Sequence, residues 1–326
     1  MAVRFSISGS LRSVRQCIEW APRIEELGYE GFFTAEHQLY CLEAFQSLAV
    51  LAGQTKRLRL ATGVTNMVYR DPTILATAAA TLNEISDGRA VLGLGRGDGP
   101  VYGLGRKSTL MAKFEDGIKT IRELLNGRPI TLSTGTFTLR TGKLPVPIYL
   151  SVEGPKGLRL AGRIADGVVA GGGFDLRVIK WVREQVAEGA REVGRDPAEI
   201  DILTAGMICL DRDVEKARTL ARRRCANRAH HNFRFTMETV PPEELEGVQK
   251  LMASFDVTKT IEDRADPNLV TEYLLKRFTI TGTPEMCVER VKELEAAGVR
   301  HILVTPPETG YVETMTAWAK EVMPRF

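Results

Sequence analysis

Two titratable side chains of this sequence stand where proton transfer is to be expected. His37 follows Glu36 at the end of an apolar run, and imidazole is the side chain best suited to exchange a proton near neutral pH. Asp98 lies beside Arg96 within the glycine-rich stretch 89–106, and its carboxylate suits general acid or base chemistry. The alternative for His37 is a hydrogen-bonded structural histidine, and the alternative for Asp98 is a turn residue that fixes its loop.

Three glycine-containing stretches predict a close approach of the backbone to a ligand. Gly154 and Pro155 open a predicted helix, whose unpaired N–H groups and positive dipole end attract anions such as phosphate. The run from Gly171 to Gly173 can fold as a nest of N–H groups, so the two stretches together predict a phosphate cradle. Gly63 follows another apolar run, and its missing side chain allows a bulge or an uncommon peptide geometry under a flat ligand. By sequence alone, however, a plain strand end is the commoner outcome at this position.

Alternating strand and helix patterns must position these residues. Eight apolar runs predict strands, and each is followed by a segment with helical apolar spacing. Repeated right-handed crossovers close most naturally into an α/β fold of the (β/α)8 TIM-barrel type, whose active site lies at the C-terminal strand ends. A doubly wound sheet is the alternative, but it would carry a glycine fingerprint near the first strand, and none is present there. The predicted strands span residues 3–8, 29–34, 58–61, 90–94, 147–152, 167–170, 202–210 and 301–305.

The glycine-rich stretch itself fails the dinucleotide-binding spacing G-x-G-x-x-G. Read from Gly93, the third glycine position holds Asp98, so a classical NAD-binding turn is not expected. We expect one domain over residues 1–326, with a small hairpin at 131–139. The helical periodicity of 214–229 weakens from His230 to Phe278, which predicts an insertion with short helices at about 230–278 that could serve as a lid.

Composition and charge exclude several classes of partner. The 44 basic and 41 acidic residues are well mixed, and the net charge of +3 does not indicate binding to nucleic acid or to a membrane surface. No apolar run approaches the roughly 18 residues of a membrane helix, and the N-terminus enters a strand without a signal segment, so a cytoplasmic protein is expected. The five cysteines are far apart, which predicts reduced thiols and no metal site. The pair His230–His231 is expected to have a surface or insertion role, and the arginines at 222–224 to form a solvated helix face.

Four stretches of the sequence resemble the bacterial luciferase-like superfamily. They are TGVTN at 62–66, the pair Asp71–Pro72, TLNEISDGRAVLGLGRGD at 81–98 and LRLAGRIADGVVAGG at 158–172. Within the superfamily they look most like the coenzyme F420-dependent oxidoreductases, a branch that includes methylenetetrahydromethanopterin reductase. The resemblance spans nearly the whole chain and is strongest between residues 58 and 173.

The resemblance implies a barrel that binds the deazaflavin coenzyme F420, or alternatively FMN, in its mouth. Gly63–Val64 matches the family's non-prolyl cis peptide, whose bulge backs the central ring, and Asn66 follows on the same loop. His37 matches a polar residue near the reacting face, and Asp98 matches an acidic residue used for proton handling or cofactor contact. The segments that match the family's phosphate and side-chain contacts are Val152, Glu153 and Gly154, and Ala170, Gly171 and Gly172.

Two departures from the family pattern bear on the activity. The glucose-6-phosphate dehydrogenases of the family carry an acidic residue after the first strand, whereas this chain has Ser8-Gly9-Ser10, which argues against that activity. F420 enzymes often show Asp-His after the second strand, and the Glu36-His37 found here is also usual among FMN-dependent monooxygenases. The fold is therefore better determined than the cofactor.

Three functions remain as hypotheses. The first is an F420-dependent oxidoreductase that transfers a hydride between the deazaflavin C5 and a small organic substrate, with His37 and Asp98 handling the proton. The second is an FMN-dependent two-component monooxygenase, which requires a reductase partner. The third is a barrel that binds the cofactor without turnover. The resemblance also implies a homodimer.

Overall fold

The computed structural model describes residues 2–256, 259 and 264–326, which form two compact units. The first unit comprises Ser8–Ser151 and Arg163–Val168, and the second comprises the described residues of 1–7, 152–162 and 169–326. In both units strands alternate with helices along the chain, as the barrel prediction requires. A single domain over residues 1–326 stays a prediction.

The chain up to residue 151 follows the predicted order of strands and helices. Two short elements were not predicted, β4 and α4, and the expected hairpin forms as the antiparallel pair β6–β7. The elements are β1 (Arg4–Gly9), α1 (Val14–Glu26), β2 (Gly31–Thr34), α2 (Ala44–Gln54), β3 (Arg59–Thr62), β4 (Thr65–Asn66), α3 (Pro72–Ile85), β5 (Ala90–Gly95), α4 (Gly99–Tyr102), α5 (Met111–Leu125), β6 (Ile130–Leu132), β7 (Gly135–Phe137) and β8 (Ile148–Ser151).

The long strands of the first unit run parallel. Strand β3 pairs with β2 on one side and with β5 on the other, and β5 pairs with β8. Phe33 lies opposite Ala61, Ala61 opposite Val91, and Leu92 opposite Ile148. Strand β5 is buried along its whole length, as expected for a parallel sheet with both faces covered. The residues that follow β2, β3 and β5 therefore lie at one edge of this sheet.

The chain after residue 151 continues the alternation in the second unit. Strands β1, β12, β10 and β11 pair in parallel in that order, with Phe5 opposite Ile302, Leu203 opposite His301 and Cys209 opposite Thr281. The elements are α6 (Pro155–Ile164), β9 (Gly167–Ala170), α7 (Leu176–Glu192), β10 (Asp201–Leu210), α8 (Val214–Thr236), α9 (Leu245–Ala253), α10 (Glu272–Phe278), β11 (Thr279–Gly282), α11 (Pro284–Ala296), β12 (His301–Thr305) and α12 (Tyr311–Ala317).

The predicted end of one helix is wrong, whereas the insertion at about 230–278 stays a prediction. Helix α8 continues to Thr236 and so includes His230 and His231. Its sequence is rich in arginine and poor in large apolar residues, so the apolar spacing fades although the helix continues. Strand β11 was not predicted. The short helices expected at 230–278 are present as α9 and α10, whereas residues 257, 258 and 260–263 of that stretch lie outside the described residues.

Side-chain caps and glycines set the bounds of the helices around the sheet. Ser13 Oγ accepts a hydrogen bond from the Gln16 N–H at 3.1 Å, and Asp71 Oδ1 accepts one from the Thr73 N–H at 2.8 Å. Gly28, just past α1, has a φ of 84°, a conformation that suits glycine at a helix end. These local signals explain where α1 begins and ends and where α3 begins.

The helices that follow β10 have an apolar core of their own. Helices α8, α9 and α10 contribute Phe233, Leu251, Leu274 and Phe278, each at most 1% exposed. The rings of Phe233 and Phe278 pack edge to face, with centroids 5.6 Å apart. This packing holds α8 and α10 together. Of the helices formed by the described residues, none has the length and apolar character needed to cross a bilayer.

Candidate active site

A bulge with a cis peptide bond interrupts the sheet at the C-terminal end of β3. The peptide bond Gly63–Val64 is cis, which confirms the geometry implied by the family resemblance. Ala61 lies opposite Val91 and Thr65 lies opposite Leu94, so four residue steps on one strand oppose three steps on β5. The additional residue makes this a β-bulge, the alternative to a plain strand end that the sequence left open.

The residues around the bulge are shaped to accept it. The Thr62 hydroxyl donates to the Gly93 carbonyl oxygen at 2.8 Å and accepts from the Gly93 N–H at 3.0 Å, in place of ladder partners. A Cβ on Gly93 would lie 2.0 Å from the Thr62 carbonyl oxygen, and a Cβ on Gly95 would lie 2.9 Å from Val64 Cγ2. A Cβ on Gly63 would lie 2.9 Å from Phe33 Cβ. Glycine is therefore required on both sides of the bulge for packing.

Asn66 ends β4 and turns the chain toward Tyr69. Its Oδ1 accepts a hydrogen bond from the Val68 N–H at 3.0 Å, and the residue is buried. Burial raises the pKa of Tyr69 to about 12, and the negative charge of Glu36 adds to that increase. Asn66 lies close enough to the phenol to oppose part of the shift without meeting the geometry of a hydrogen bond. The phenol therefore keeps its proton through neutral pH.

An ion-pair network holds the loop that carries His37. The Glu36 side chain is 5% exposed and accepts a hydrogen bond from Arg70 Nε at 3.0 Å. Arg70 also donates to Glu43 at 2.5 Å and lies 5.4 Å from the centroid of the Phe45 ring. Burial alone would lower the pKa of Arg70, but the two carboxylates hold it above its ordinary value. A permanently charged guanidinium thus fixes Glu36 next to His37.

His37 and Asp98 lie on two loops that contact each other. His37 is half-buried, and its ring packs edge-on against Tyr40 with centroids 4.4 Å apart. Asp98 is half-buried just before α4, and its side chain makes no capping hydrogen bond to that helix. Gln38 Nε2 donates to the Pro100 carbonyl oxygen at 3.0 Å, which links the two loops. The two residues predicted to handle a proton are therefore brought into the same part of the first unit.

Three buried polar atoms at these strand ends have no hydrogen-bond partner among the described residues. They are Glu36 Oε2, Thr65 Oγ1 and the Tyr69 hydroxyl. Leaving such an atom unpaired costs about 1–3 kcal/mol, so a group of them marks a place where a ligand or ordered water completes the hydrogen bonds. The sequence drew attention to Glu36 only as the neighbour of His37, and it gave no sign of Thr65 or Tyr69.

In the second unit, a buried carboxylate joins the two segments predicted to hold phosphate. Glu153 lies between β8 and α6, with its side chain 8% exposed. It accepts hydrogen bonds from Arg228 and, at 2.9 Å, from Asn232 Nδ2, while Arg228 Nε donates to the Gly171 carbonyl oxygen at 3.2 Å. Burial alone would raise the pKa of Glu153, but Arg228, His231 and Asn232 hold it below its ordinary value. The Glu153 carboxylate is therefore ionised and paired within the protein.

The two predicted phosphate segments lie beside a helix start and a packed side-chain cluster. Helix α6 begins at Pro155, so the N–H groups of its first turn follow Gly154 directly. A Cβ on Gly171 would lie 1.7 Å from Arg228 Nη2, and a Cβ on Gly172 would lie 2.8 Å from Val178 Cγ1. Both glycines are therefore closely packed by side chains, and the phosphate cradle stays a prediction.

Sequence reasoning missed Arg228, Asn232 and Arg277. These residues surround the glycine segment, residues 171–173, that follows β9. Arg228 and Asn232 are four residues apart on α8, so they share one face of the helix. Asn232 is fully buried, and a polar residue on a buried helical face is the signal that could have identified this pair. Arg277 is 1% exposed on α10 and shows no such pattern, because α10 is too short for its periodicity to be read.

Two other expectations about α8 can be compared with the structure. The arginine run is not wholly a solvated face, because Arg222 donates to the Val270 carbonyl oxygen at 2.5 Å and Arg224 to that of Pro306 at 3.3 Å. The His230 ring stacks on the Phe255 ring with centroids 3.6 Å apart. Within residues 2–256, 259 and 264–326, no group of three His, Cys, Asp or Glu side chains is arranged to hold a metal ion.

A family model described as luciferase-like monooxygenase matches residues 3–301, which is most of the chain. The chain belongs to the luciferase-like monooxygenase family. The match confirms the superfamily that the motifs at 62–66, 81–98 and 158–172 indicated. It includes both the bulge of the first unit and the glycine segment of the second.

Individual members of the luciferase-like family are similar to this chain over nearly its full length. The 5,10-methylenetetrahydromethanopterin reductase of Methanolobus tindarius is 30% identical over 308 residues, covering 90% of this chain and 91% of the relative. The F420-dependent glucose-6-phosphate dehydrogenase of Amycolatopsis mediterranei is 26% identical over an alignment of 348 residues, covering 100% and 98%. The first relative is named a reductase and the second an F420-dependent dehydrogenase, so both are oxidoreductases. This chain is an enzyme of the same class.

A solved structure in the luciferase-like family confirms the fold. The coenzyme F420 dependent tetrahydromethanopterin reductase from Methanopyrus kandleri matches with a TM-score of 0.80 at 23% identity, and the match covers 100% of both chains. At this identity the likeness shows the fold alone. The predicted (β/α)8 TIM barrel is thereby confirmed, and the doubly wound sheet is set aside.

Proposed function

We propose that this chain is an F420-dependent oxidoreductase that transfers a hydride between the deazaflavin C5 and a small organic substrate. The observation that carries the proposal is the β-bulge at the end of β3, where Gly63 and Val64 are half-exposed at the end of a buried strand. The three unpaired buried polar atoms of the first unit support a ligand site at the same sheet edge. The name of the Amycolatopsis mediterranei relative, an F420-dependent glucose-6-phosphate dehydrogenase, supports the choice of F420.

The residues present fit a ring cofactor that carries a phosphate. The unpaired atoms of the first unit offer hydrogen bonds to a polar ring, and the first turn of α6 and the segment after β9 offer backbone N–H groups to an anion. When bound, a reduced deazaflavin supplies a hydride from its C5. In this proposal Gly63, Val64 and Asn66 contact the ring, and Val152, Glu153, Gly154, Ala170, Gly171 and Gly172 hold the phosphate and side chain.

In this proposal His37 and Asp98 handle the proton that accompanies the hydride. A hydride that reaches an electron-poor carbon leaves negative charge on the attached oxygen or nitrogen, and a proton from the His37 imidazole neutralises that charge. The link from Gln38 to Pro100 keeps the Asp98 loop beside the His37 loop, which supports a role for Asp98 in returning the proton. The Glu36–Arg70 ion pair holds the His37 loop in place.

The cofactor is tested by titrating the purified protein with F420 and, separately, with FMN, and following the cofactor fluorescence. We expect F420 to bind at least about tenfold more tightly than FMN, a difference of about 1.4 kcal/mol. The opposite preference would move the chain to the second hypothesis, an FMN-dependent monooxygenase with a reductase partner. Binding of neither cofactor would contradict the proposed function.

The proton role is tested with His37→Gln, which keeps a polar side chain but cannot exchange a proton at neutral pH. With a substrate found by screening for loss of deazaflavin absorbance, we expect kcat to fall about 10²–10⁴-fold while the F420 dissociation constant changes little. His230→Gln is the matched control, because His230 stacks on Phe255 in the second unit. Equal rates for wild type and His37→Gln would remove His37 from the proposal.

The remaining parts of the proposal concern the localisation, the oligomeric state and the kind of substrate. We propose a cytoplasmic homodimer that acts on a small molecule, as the family resemblance implies. Sedimentation of the purified protein tests the dimer. If F420 binds tightly but no substrate consumes it, the third hypothesis applies, in which the chain binds the cofactor without turnover.

A further inference from the structure

Two arginines hold the glycine segment after β9 through its carbonyl groups. Arg228 Nε donates to the Gly171 carbonyl oxygen at 3.2 Å, and Arg277 Nε donates to the Gly172 carbonyl oxygen at 3.3 Å. The carbonyl oxygen of Arg277 in turn accepts from the Phe174 N–H. Because the C=O and N–H of one peptide point in opposite directions, fixing these carbonyls also fixes the direction of the neighbouring N–H groups.

A buried asparagine joins both arginines to the segment before α6. Asn232 Nδ2 donates to Glu153 Oε2 at 2.9 Å, and Asn232 Oδ1 accepts from Arg277 Nη2 at 2.9 Å. Arg228 donates to the other oxygen of the Glu153 carboxylate. One network therefore connects the residues that precede α6 with the residues that follow β9. We name Glu153, Arg228, Asn232 and Arg277 the arginine clamp.

The arginine clamp is closely packed by the residues around it. Arg277 is 1% exposed, and its guanidinium lies 4.7 Å from the Phe233 ring centroid and 5.1 Å from that of Phe278. A Cβ on Gly171 would collide with Arg228. The clamp and the glycine segment are therefore in direct contact.

The two guanidinium groups of the arginine clamp have different side-chain partners. Arg228 pairs with the Glu153 carboxylate, whereas Arg277 donates to the neutral Asn232 side chain. Each guanidinium divides its donors between a side-chain acceptor and a backbone carbonyl, which a lysine ammonium on a flexible stem cannot reproduce. The clamp thus sets the shape of the two backbone segments.

We propose that the arginine clamp positions the backbone at 152–154 and 171–173 for the cofactor phosphate and so sets the preference for a phosphorylated cofactor over its dephosphorylated core. This inference rests on the proposed function, which takes the two segments as the phosphate site. The clamp acts through the backbone that it holds, so its members are positioning residues.

The test compares two ligands, one with and one without the phosphate and the side chain attached to it. Dissociation constants are measured for F420 and for its dephosphorylated 8-hydroxy-5-deazaflavin core, with wild type and Arg228→Gln. We expect Arg228→Gln to weaken F420 binding about tenfold or more and core binding by less than about threefold, because only F420 uses the segments that the clamp holds. Arg228→Lys, which keeps the charge, is expected to restore part of the loss.

Arg222→Gln is the matched control. Arg222 lies on the same helix and also donates to a backbone carbonyl, that of Val270, but it is outside the clamp. We expect it to leave the ratio of the two dissociation constants unchanged. The inference would be overturned if Arg228→Gln weakened the binding of both ligands equally. It would also be overturned if the ratio of the two dissociation constants were unchanged in all clamp variants. If Arg228→Gln does not fold, Glu153→Gln and Arg228→Lys carry the same comparison.

A second measurement separates this inference from the proposed function. Inorganic phosphate is added to the protein at constant ionic strength, and the unfolding temperature is recorded. We expect phosphate to raise the unfolding temperature of wild type and of Arg222→Gln but not that of Arg228→Gln. If wild type binds FMN instead of F420, the pair FMN and riboflavin replaces the first pair. If neither cofactor binds, the proposed function fails, and the phosphate experiment alone decides for or against the clamp.

Discussion

Two polar clusters of this chain differ in how completely their hydrogen bonds are formed. In the second unit, His301 Nδ1 lies 2.9 Å from Asp201 Oδ2, and His301 Nε2 lies 2.9 Å from Ser6 Oγ. Arg4 also pairs with Asp201, at 2.6 Å. In the first unit, by contrast, the strand ends around His37 include three buried polar atoms that no described residue satisfies.

The difference between the clusters identifies the one that suits a ligand. Ser6, His301 and Asp201 have the connectivity of a Ser-His-Asp triad, but Ser6 is 1% exposed and His301 is 2% exposed. A substrate carbonyl has no access to so deeply buried a hydroxyl, and His301 is the first residue of β12, on the side of a barrel that serves stability. The completeness of the hydrogen bonds and the access of a substrate, more than the residue types, distinguish a structural cluster from a binding site.

The largest predicted effect comes from filling the space beside the bulge with Gly93→Ala. The new Cβ would lie 2.0 Å from the Thr62 carbonyl oxygen, so the backbone must move and both Thr62 hydrogen bonds to residue 93 are lost. We expect the free energy of unfolding to fall by about 4 kcal/mol, at the upper end for a single substitution. Urea denaturation measures the stability, and titration of the folded protein measures the loss of cofactor binding.

Gly53→Ala is the control for Gly93→Ala. Gly53 lies within α2, and a Cβ there would meet nothing within 4 Å. Replacing a helical glycine by alanine is expected to stabilise the protein by up to about 1 kcal/mol. A Gly93→Ala protein that is as stable as wild type and binds the cofactor equally well would show that the bulge does not depend on this glycine.

The second prediction concerns the fully paired cluster. His301→Ala removes both hydrogen bonds of the ring, one of them to a carboxylate, so we expect a loss of about 3 kcal/mol in unfolding free energy. Ser6→Ala removes only one and is expected to cost about 1 kcal/mol. Turnover per folded molecule should not change in either variant. A fall in turnover at wild-type stability would mean that this cluster takes part in function.

Local features of the fold and site could be predicted from the sequence. Apolar runs of strand length, prolines at helix starts and glycines at helix ends depend on neighbouring residues, so most predicted bounds agree with the structure to within two residues. At Gly63 the sequence alone allowed an unusual backbone but favoured a plain strand end, and only the family resemblance implied the cis peptide that the structure has. The position of His37 directly after β2 could be predicted from the apolar run before it.

Contacts between distant residues could not be predicted in this way. Glu153 and Arg228 are 75 positions apart, and Ser6 and His301 are 295 positions apart, so no local pattern relates them. Which polar atoms stay unpaired depends on every neighbour in the folded chain, as the Tyr69 hydroxyl shows. The end of α8 was missed because its arginines conceal the helical spacing.

The smallest predicted effect tests the unpaired phenol of the first unit. Burial and the negative charge of Glu36 raise the pKa of Tyr69 to about 12. A nearby negative charge disfavours tyrosinate, so Glu36→Gln should lower this pKa, while burial keeps it above the ordinary value near 10. A pH titration of tyrosinate absorbance measures the change, with Tyr69→Phe identifying the signal.

Glu43→Gln is the matched control for Glu36→Gln. Both variants remove a carboxylate that pairs with Arg70, but only the charge of Glu36 acts on Tyr69. We therefore expect the pKa of Tyr69 to change in Glu36→Gln and not in Glu43→Gln. An unchanged pKa in Glu36→Gln would mean that the phenol finds a hydrogen-bond partner in solution, and the contrast between the two polar clusters would then rest on Glu36 and Thr65 alone.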